Sequence, residues 1–276
     1  MNYFQRAIKK IFLPNAMLTY SQAGEDIFIS NFFRRLRIDK PTYLDIGANH
    51  PTFLSNTYLF YTRGSSGVLV EPNPLLAQTL CRKRKRDKVI PVGISPSSFM
   101  PEDMDFYLYE NNALNTFSEK DVAYWKSQNV SCLLRVAVPV VPFKILVPYF
   151  KDSPDFISLD AEGMDLDILK SIDFNTCRPK LICAETLGRC LDRQAPRKRT
   201  DISEFLLSKG YVVYADTYIN TLFIREEYAH HFFPKESFPE QIEWNTDSRG
   251  GLAYMSKDKW LELVQEITKM RKNNDK

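Results

Sequence analysis

Short apolar runs closed by turn residues alternate along this chain with stretches of helical character, and that alternation limits the fold more than any other feature. Strands joined through helices build a mostly parallel sheet with helices on both faces, because each crossover must carry the chain back to the same end of the sheet. Seven runs read as strands: Tyr43 to Ile46, Gly67 to Val70, Val89 to Ile94, Phe156 to Leu159, Leu181 to Ala184, Tyr211 to Tyr214 and Thr221 to Ile224. Helical patterns fall at Glu25 to Arg37, Phe53 to Thr62, Pro74 to Lys85, Leu166 to Ile172 and Ile202 to Lys209. Thr200 and Asp201 supply an N-cap for the last of these, and Gly210 supplies its stop. Only Ala215 to Asn220 separate the final two strands, too few for a crossover helix, so these strands are expected to form an antiparallel hairpin at the sheet edge.

At 276 residues and 44% apolar, the chain can bury one large core, and a single domain with additions is expected. Residues 1–20 form an N-terminal amphipathic segment, with Phe4, Ile8, Ile11 and Phe12 at helical spacing and Arg6, Lys9 and Lys10 between them. Core packing explains that stripe, with peripheral membrane contact as the alternative. Residues 21–225 carry the sheet, interrupted at about 96–154 by a stretch that fits the alternation poorly. That stretch has one short alternating piece at Asp105 to Tyr109 and a helix around Glu119 to Lys126. It is expected to overhang the carboxyl edge of the sheet, where open α/β folds bind ligands. Residues 226–276 form an extension ending in a helix, marked by Trp260, Val264, Ile267 and Met270 with Ser256 as N-cap.

The net charge of +3, from 37 basic and 34 acidic residues, gives no general pull on polyanions. Five cysteines without C-x-x-C spacing and three histidines argue against a disulfide framework and a zinc site. With no secretory signal and no apolar run of spanning length, a cytoplasmic location is expected.

The chemistry gathers at strand ends. The first strand closes in Asp45-Ile46-Gly47-Ala48-Asn49-His50-Pro51, where Gly47 would let a ligand approach the backbone and Pro51 suits the first turn of a helix. The second closes in Val70-Glu71-Pro72-Asn73-Pro74, which puts a carboxylate on the neighbouring strand, placed to accept the two hydroxyls of a ribose. Together these turns point to an adenosine-type cofactor. The fourth strand closes in Asp160-Ala161-Glu162-Gly163 and the fifth in Glu185-Thr186, so Asp160, Glu162 and Glu185 meet at one rim. Three adjacent carboxylates repel unless a proton or a cation sits among them.

In order and spacing these pieces, with Ser21-Gln22-Ala23-Gly24-Glu25-Asp26 ahead of them, resemble the FkbM-type methyltransferases from Ser21 to about Phe223. The resemblance implies a class I methyltransferase fold, a Rossmann-like seven-stranded sheet with an antiparallel terminal hairpin. It also implies S-adenosylmethionine as cofactor and methyl transfer to a hydroxyl, commonly of a sugar or natural product. Asp45, Gly47, Asn49, Glu71, Asn73 and Ser95 are the expected cofactor residues. Pro51 stands where that family often has glycine, which leaves the path of the turn open.

Asp160, Glu162 or His50 would take the acceptor proton. Alternatively, Asp160 and Glu185 would hold Mg²⁺ and so relieve the rim's repulsion. Of two basic clusters, the one from Arg82 to Lys88 reads as a solvated helix end. The other, Arg189, Arg193, Arg197, Lys198 and Arg199, overhangs the acceptor side, where Arg193 and Arg197 suit a phosphate or carboxylate of the substrate. The acceptor is thus expected to be a small molecule or glycan, with an anionic group as one option. Two other readings compete with this one. A nucleic-acid methyltransferase is disfavoured by the acidic rim and by the lack of an Asn/Asp-Pro-Pro-aromatic motif after the fourth strand, and a non-catalytic partner in glycan assembly is disfavoured by the retained acids.

Overall fold

The computed structural model describes residues 17–95, 102–161, 163–188 and 198–232. Helix α1 (Glu25–Arg35) precedes strand β1 (Tyr43–Ile46), followed by α2 (Tyr58–Thr62), β2 (Gly67–Val70), α3 (Pro74–Lys83) and β3 (Lys88–Ile90). A middle section holds β4 (Gly93–Ser95), β5 (Glu102–Leu108), α4 (Glu119–Ser127) and β6 (Leu134–Pro142). The chain then resumes the alternation with β7 (Phe156–Leu159), α5 (Asp165–Lys170), β8 (Leu181–Glu185), α6 (Thr200–Ser208), β9 (Tyr211–Asp216) and β10 (Asn220–Arg225).

The main sheet has seven strands in the order β3-β2-β1-β7-β8-β10-β9, all parallel except β10, which runs antiparallel to both its neighbours. This is the seven-stranded, mostly parallel sheet that the resemblance implies, and the antiparallel terminal hairpin is in place. The central strands β1 and β7 are buried along their whole length because both faces are covered. Alternation along β1, β7 and β8 sends Tyr43, Phe156 and Leu181 to a layer shared with Ile29, Phe32 and Phe33 of α1 and Leu80 of α3. Leu44, Ile157 and Ile182 go to the opposite layer, against Ile168 of α5 and Leu206 of α6. The chain runs outward from β1 to β3, then returns to β7 on the other side of β1. A crevice is therefore left at the carboxyl ends of β1 and β7, where ligands of such sheets sit.

The third strand is shorter than expected. At Pro91, which has no N–H to donate to a ladder, the run from Val89 to Ile94 leaves the main sheet, and Gly93–Ser95 pairs instead with Val140 to Pro142. A second sheet results, ordered β4-β6-β5, with β5 antiparallel to β6. Its long strand β6 went unread because Pro139 and Pro142 interrupt the apolar pattern.

Helix α2 is confined to Tyr58–Thr62, and Pro51 lies in a bend rather than a first helical turn. Leu54, at φ +54°, cannot continue a helix. Helix α6 begins at Thr200 with Arg199 as N-cap, and Gly210 follows at φ +77° as the expected stop. Among the described residues no helix is long and apolar enough to cross a membrane. The expected helices near either terminus lie outside the described residues, apart from Met17 to Tyr20 and the stretch from Glu226 to Phe232.

Candidate functional site

A cleft open to solvent lies over the ends of β1, β2 and β7. Gly47, Asn49, Glu71 and Asp160 line its floor, Met164 and Ile168 one wall, and Phe106, Asn115, Thr116 and Phe117 of the middle section its roof. The roof closes tightly, since a Cβ on Gly93 would meet the Phe117 ring at 2.7 Å.

Two turns set the floor. Gly47 N and Ala48 N donate to Val70 O at 3.0 and 3.1 Å, tying the β1 turn to β2. Gly47 adopts φ +79°, and a Cβ there would lie 1.8 Å from Asp160 O, so the close neighbour that demands glycine is the β7 backbone. Asn49, at φ +47°, takes the left-handed conformation that asparagine tolerates best after glycine. Its N–H donates to Glu71 Oε2 at 2.7 Å, while Asn73 N donates to Glu71 Oε1 at 2.8 Å. Each oxygen keeps a second lone pair for a ligand hydroxyl. Burial pushes the Glu71 carboxyl up to about 7 although the two backbone donors oppose it, and the charges of Asp45 and Asp160 add to the rise.

Beneath the β1 turn lies a buried polar layer. Thr57 Oγ1 donates to Asp45 Oδ2 at 2.6 Å, and Arg84 Nη2 donates to Thr57 Oγ1 at 3.0 Å. Arg84 was expected on a solvated helix end, yet it is 1% exposed. It caps α3 and turns inward, where Asp87 neutralises it at 2.7 Å and the rings of Tyr43, Tyr58 and Tyr61 surround it.

At the rim, register places the ends of β7 and β8 side by side, so that Asp160 and Glu185 are neighbours. Burial raises the Glu185 carboxyl, the charges of Asp160 and Asp165 raise it further, and Arg199 and Lys198 pull it back. The Arg199 and Lys198 charges thus moderate the rim's repulsion. Among the described residues no three His, Cys, Asp or Glu side chains gather as metal ligands. Lys198 Nζ donates to Asp216 at 2.8 Å and Thr186 at 2.9 Å, and Arg199 pairs with Asp201 at 2.9 Å. These two members of the second basic cluster are therefore engaged within the fold.

Of the expected cofactor residues, Gly47, Asn49 and Glu71 line the cleft. Asp45 lies below it, and Asn73 caps α3 with its side-chain oxygen accepting from Leu75 N and Leu76 N. Ser95 sits in β4, just past the lining residues Gly93 and Ile94. His50 is exposed, and its Nδ1 accepts from Phe53 N at 2.9 Å and Thr52 N at 3.2 Å in the bend after β1. Glu162, Arg193 and Arg197 lie outside the described residues. The roof from Phe106 to Phe117 was not expected residue by residue, since its members share no period. Only the overhang of the stretch was readable.

The sequence profile of the methyltransferase FkbM domain matches residues 45–213, more than half of the chain. Similar solved structures include a provisionally assigned caffeoyl-CoA O-methyltransferase from Staphylococcus aureus. It is 13% identical over 81% of this chain and 93% of that one, with a TM-score of 0.43. A methyltransferase from Geobacter sulfurreducens is 12% identical over 82% of this chain and 90% of its own, with a TM-score of 0.39. A TehB-like SAM-dependent methyltransferase from Corynebacterium glutamicum is 10% identical over 81% and 96%, at 0.38. No curated protein matches the chain.

Proposed function

The chain belongs to the FkbM methyltransferase family, and from that premise we propose that it methylates a hydroxyl of a sugar, glycan or natural product. Its family makes S-adenosylmethionine the cofactor, and the donor set suits that molecule. Glu71 keeps free lone pairs for the ribose hydroxyls, and the cleft extends past Gly47 towards Asp160. When bound, the cofactor supplies an electrophilic methyl group on a sulfonium.

The chain's own residues must then align an acceptor oxygen and remove its proton. The observation that carries a hydroxyl acceptor is the adjacency of Asp160 and Glu185 at the cleft's rim, which offers a carboxylate proton acceptor beside the cofactor cleft. A hydroxyl needs such a group. The same acids disfavour a polyphosphate backbone and so count against a nucleic-acid substrate.

In the direct test, calorimetry with S-adenosylhomocysteine is followed by incubation with labelled S-adenosylmethionine and a library of sugars, glycans and natural products, with RNA and DNA alongside. Methyl ethers among the products support the reading. Label appearing only in RNA, DNA or on nitrogen overturns it.

A further inference from the structure

We propose that Arg84 is a positioning residue for the cofactor turn, holding the loop after β1 and the buried Asp45 in the arrangement that the cofactor meets. The proposal rests on the reading of the cleft as the S-adenosylmethionine site.

Arg84 distributes its donors over four groups from different parts of the chain. Nε donates to Asp87 Oδ2 at 2.7 Å and Nη1 to Pro51 O at 3.1 Å, while Nη2 reaches Tyr43 Oη at 3.1 Å and Thr57 Oγ1 at 3.0 Å. Pro51 and Thr57 bracket the bend that follows the turn from Gly47 to Asn49. One guanidinium therefore fixes both ends of that bend. Asp87 in turn accepts from Tyr43 Oη at 2.8 Å and Gly67 N at 3.0 Å, which anchors the assembly to β1 and β2. Three tyrosine rings enclose the cation, so Arg84 cannot swing out without opening the layer between α2 and α3.

The second half of the argument is electrostatic. Asp45 is buried within β1, and burial raises its carboxyl, opposed by the Thr57 hydrogen bond, the Arg84 charge and the Ser158 hydroxyl, with Asp87 adding to the rise. Glu71 and Cys183 also feel the Asp45 charge. Arg84 is the cation among these groups. Lysine keeps the charge but not the planar fork, and methionine keeps neither, so the two substitutions separate charge from geometry.

The test measures S-adenosylhomocysteine affinity of Arg84→Lys, Arg84→Met and Thr57→Val between about pH 6 and 9, with melting midpoints alongside. Arg84→Met is expected to weaken binding about tenfold or more at neutral pH and to move the pH dependence of binding upward, because the Arg84 charge no longer favours the Asp45 carboxylate; Arg84→Lys should be weakened less and show the parent's pH profile. Thr57→Val, which removes the link between Arg84 and Asp45, should reproduce the pH dependence in milder form and decides the matter if Arg84→Met does not fold. A folded Arg84→Met that binds within about threefold of the parent with an unchanged profile overturns the proposal, whatever its melting point. So does a Thr57→Val profile identical to the parent's where Arg84→Met is unfolded. Failure of the parent itself to bind S-adenosylhomocysteine overturns the cofactor reading first, and this proposal with it.

Discussion

The carbonyl oxygen of Asp160 occupies the space where a side chain on Gly47 would begin, 1.8 Å from the position a Cβ would take. The turn after β1 and the end of β7 are thus built against each other, backbone to backbone. The floor of the cleft depends on both.

Gly47→Ala should therefore fail in two ways at once, through the clash and through φ +79°. A stability loss of ~2 to 4 kcal/mol is expected, together with loss of measurable S-adenosylhomocysteine binding. Urea unfolding and calorimetry on the same preparation check both. Full stability with intact affinity would mean that the two backbones part easily.

Glu71 links stability to pH. Its carboxyl rises from an ordinary 4.5 to about 7 in the fold. Between those values the folded chain binds a proton that the unfolded chain has lost, so stability falls as pH rises through the window. The cost reaches roughly 3 kcal/mol above it. Glu71→Gln should flatten that part of the urea profile. Ribose hydroxyls favour the ionised acceptor, so cofactor affinity should move the opposite way, tightening as pH rises through about 7 in the parent and losing that trend in the variant.

Asp160→Asn separates chemistry from binding. If Asp160 takes the acceptor proton, the variant should bind S-adenosylhomocysteine within a few-fold of the parent while turnover falls by ~100-fold or more. Single-turnover transfer of labelled methyl reads the second quantity. Should Asp160→Asn retain its rate and Glu185→Gln lose it, the proton goes to β8 instead.

The roof can be tested from below. A Cβ on Gly93 would press on Val140 at 2.5 Å and on the Phe117 ring at 2.7 Å, so Gly93→Ala must move one or both. We expect ~1 to 3 kcal/mol of destabilisation and weaker cofactor binding. Combined with Phe117→Ala, the stability cost should be less than additive, because the ring that the new methyl displaces is gone.

Much of this arrangement is readable from residues alone, and the reasons differ by element. Tyr43 to Ile46 and Phe156 to Leu159 announce themselves because strands covered on both faces are apolar throughout and end where polar residues begin. The place of Glu71 at the cleft is legible because it closes the strand that neighbours β1. Arg84 is not. It stands in a run of basic residues, Arg82 to Lys88, that looks solvated throughout, and only the closing of Tyr43, Tyr58, Tyr61 and Asp87 around it makes it internal. Strand β6 hides for a local reason, since prolines within an exposed sheet break the alternation that would reveal it. From sequence the glycine at 47 reads as an opening for a ligand, whereas its close neighbour is the Asp160 carbonyl, because sequence does not show which backbone comes near.

The second sheet draws all three of its strands from one stretch of chain between β3 and β7, and none of them pairs with the main sheet. The ceiling of the cleft is consequently modular. Substitutions from Gly93 to Pro142 can reshape the ceiling while the strand ends carrying Gly47, Glu71, Asp160 and Glu185 keep their ladder partners. Within one scaffold, the ceiling and the strand ends beneath it can therefore diverge at different rates.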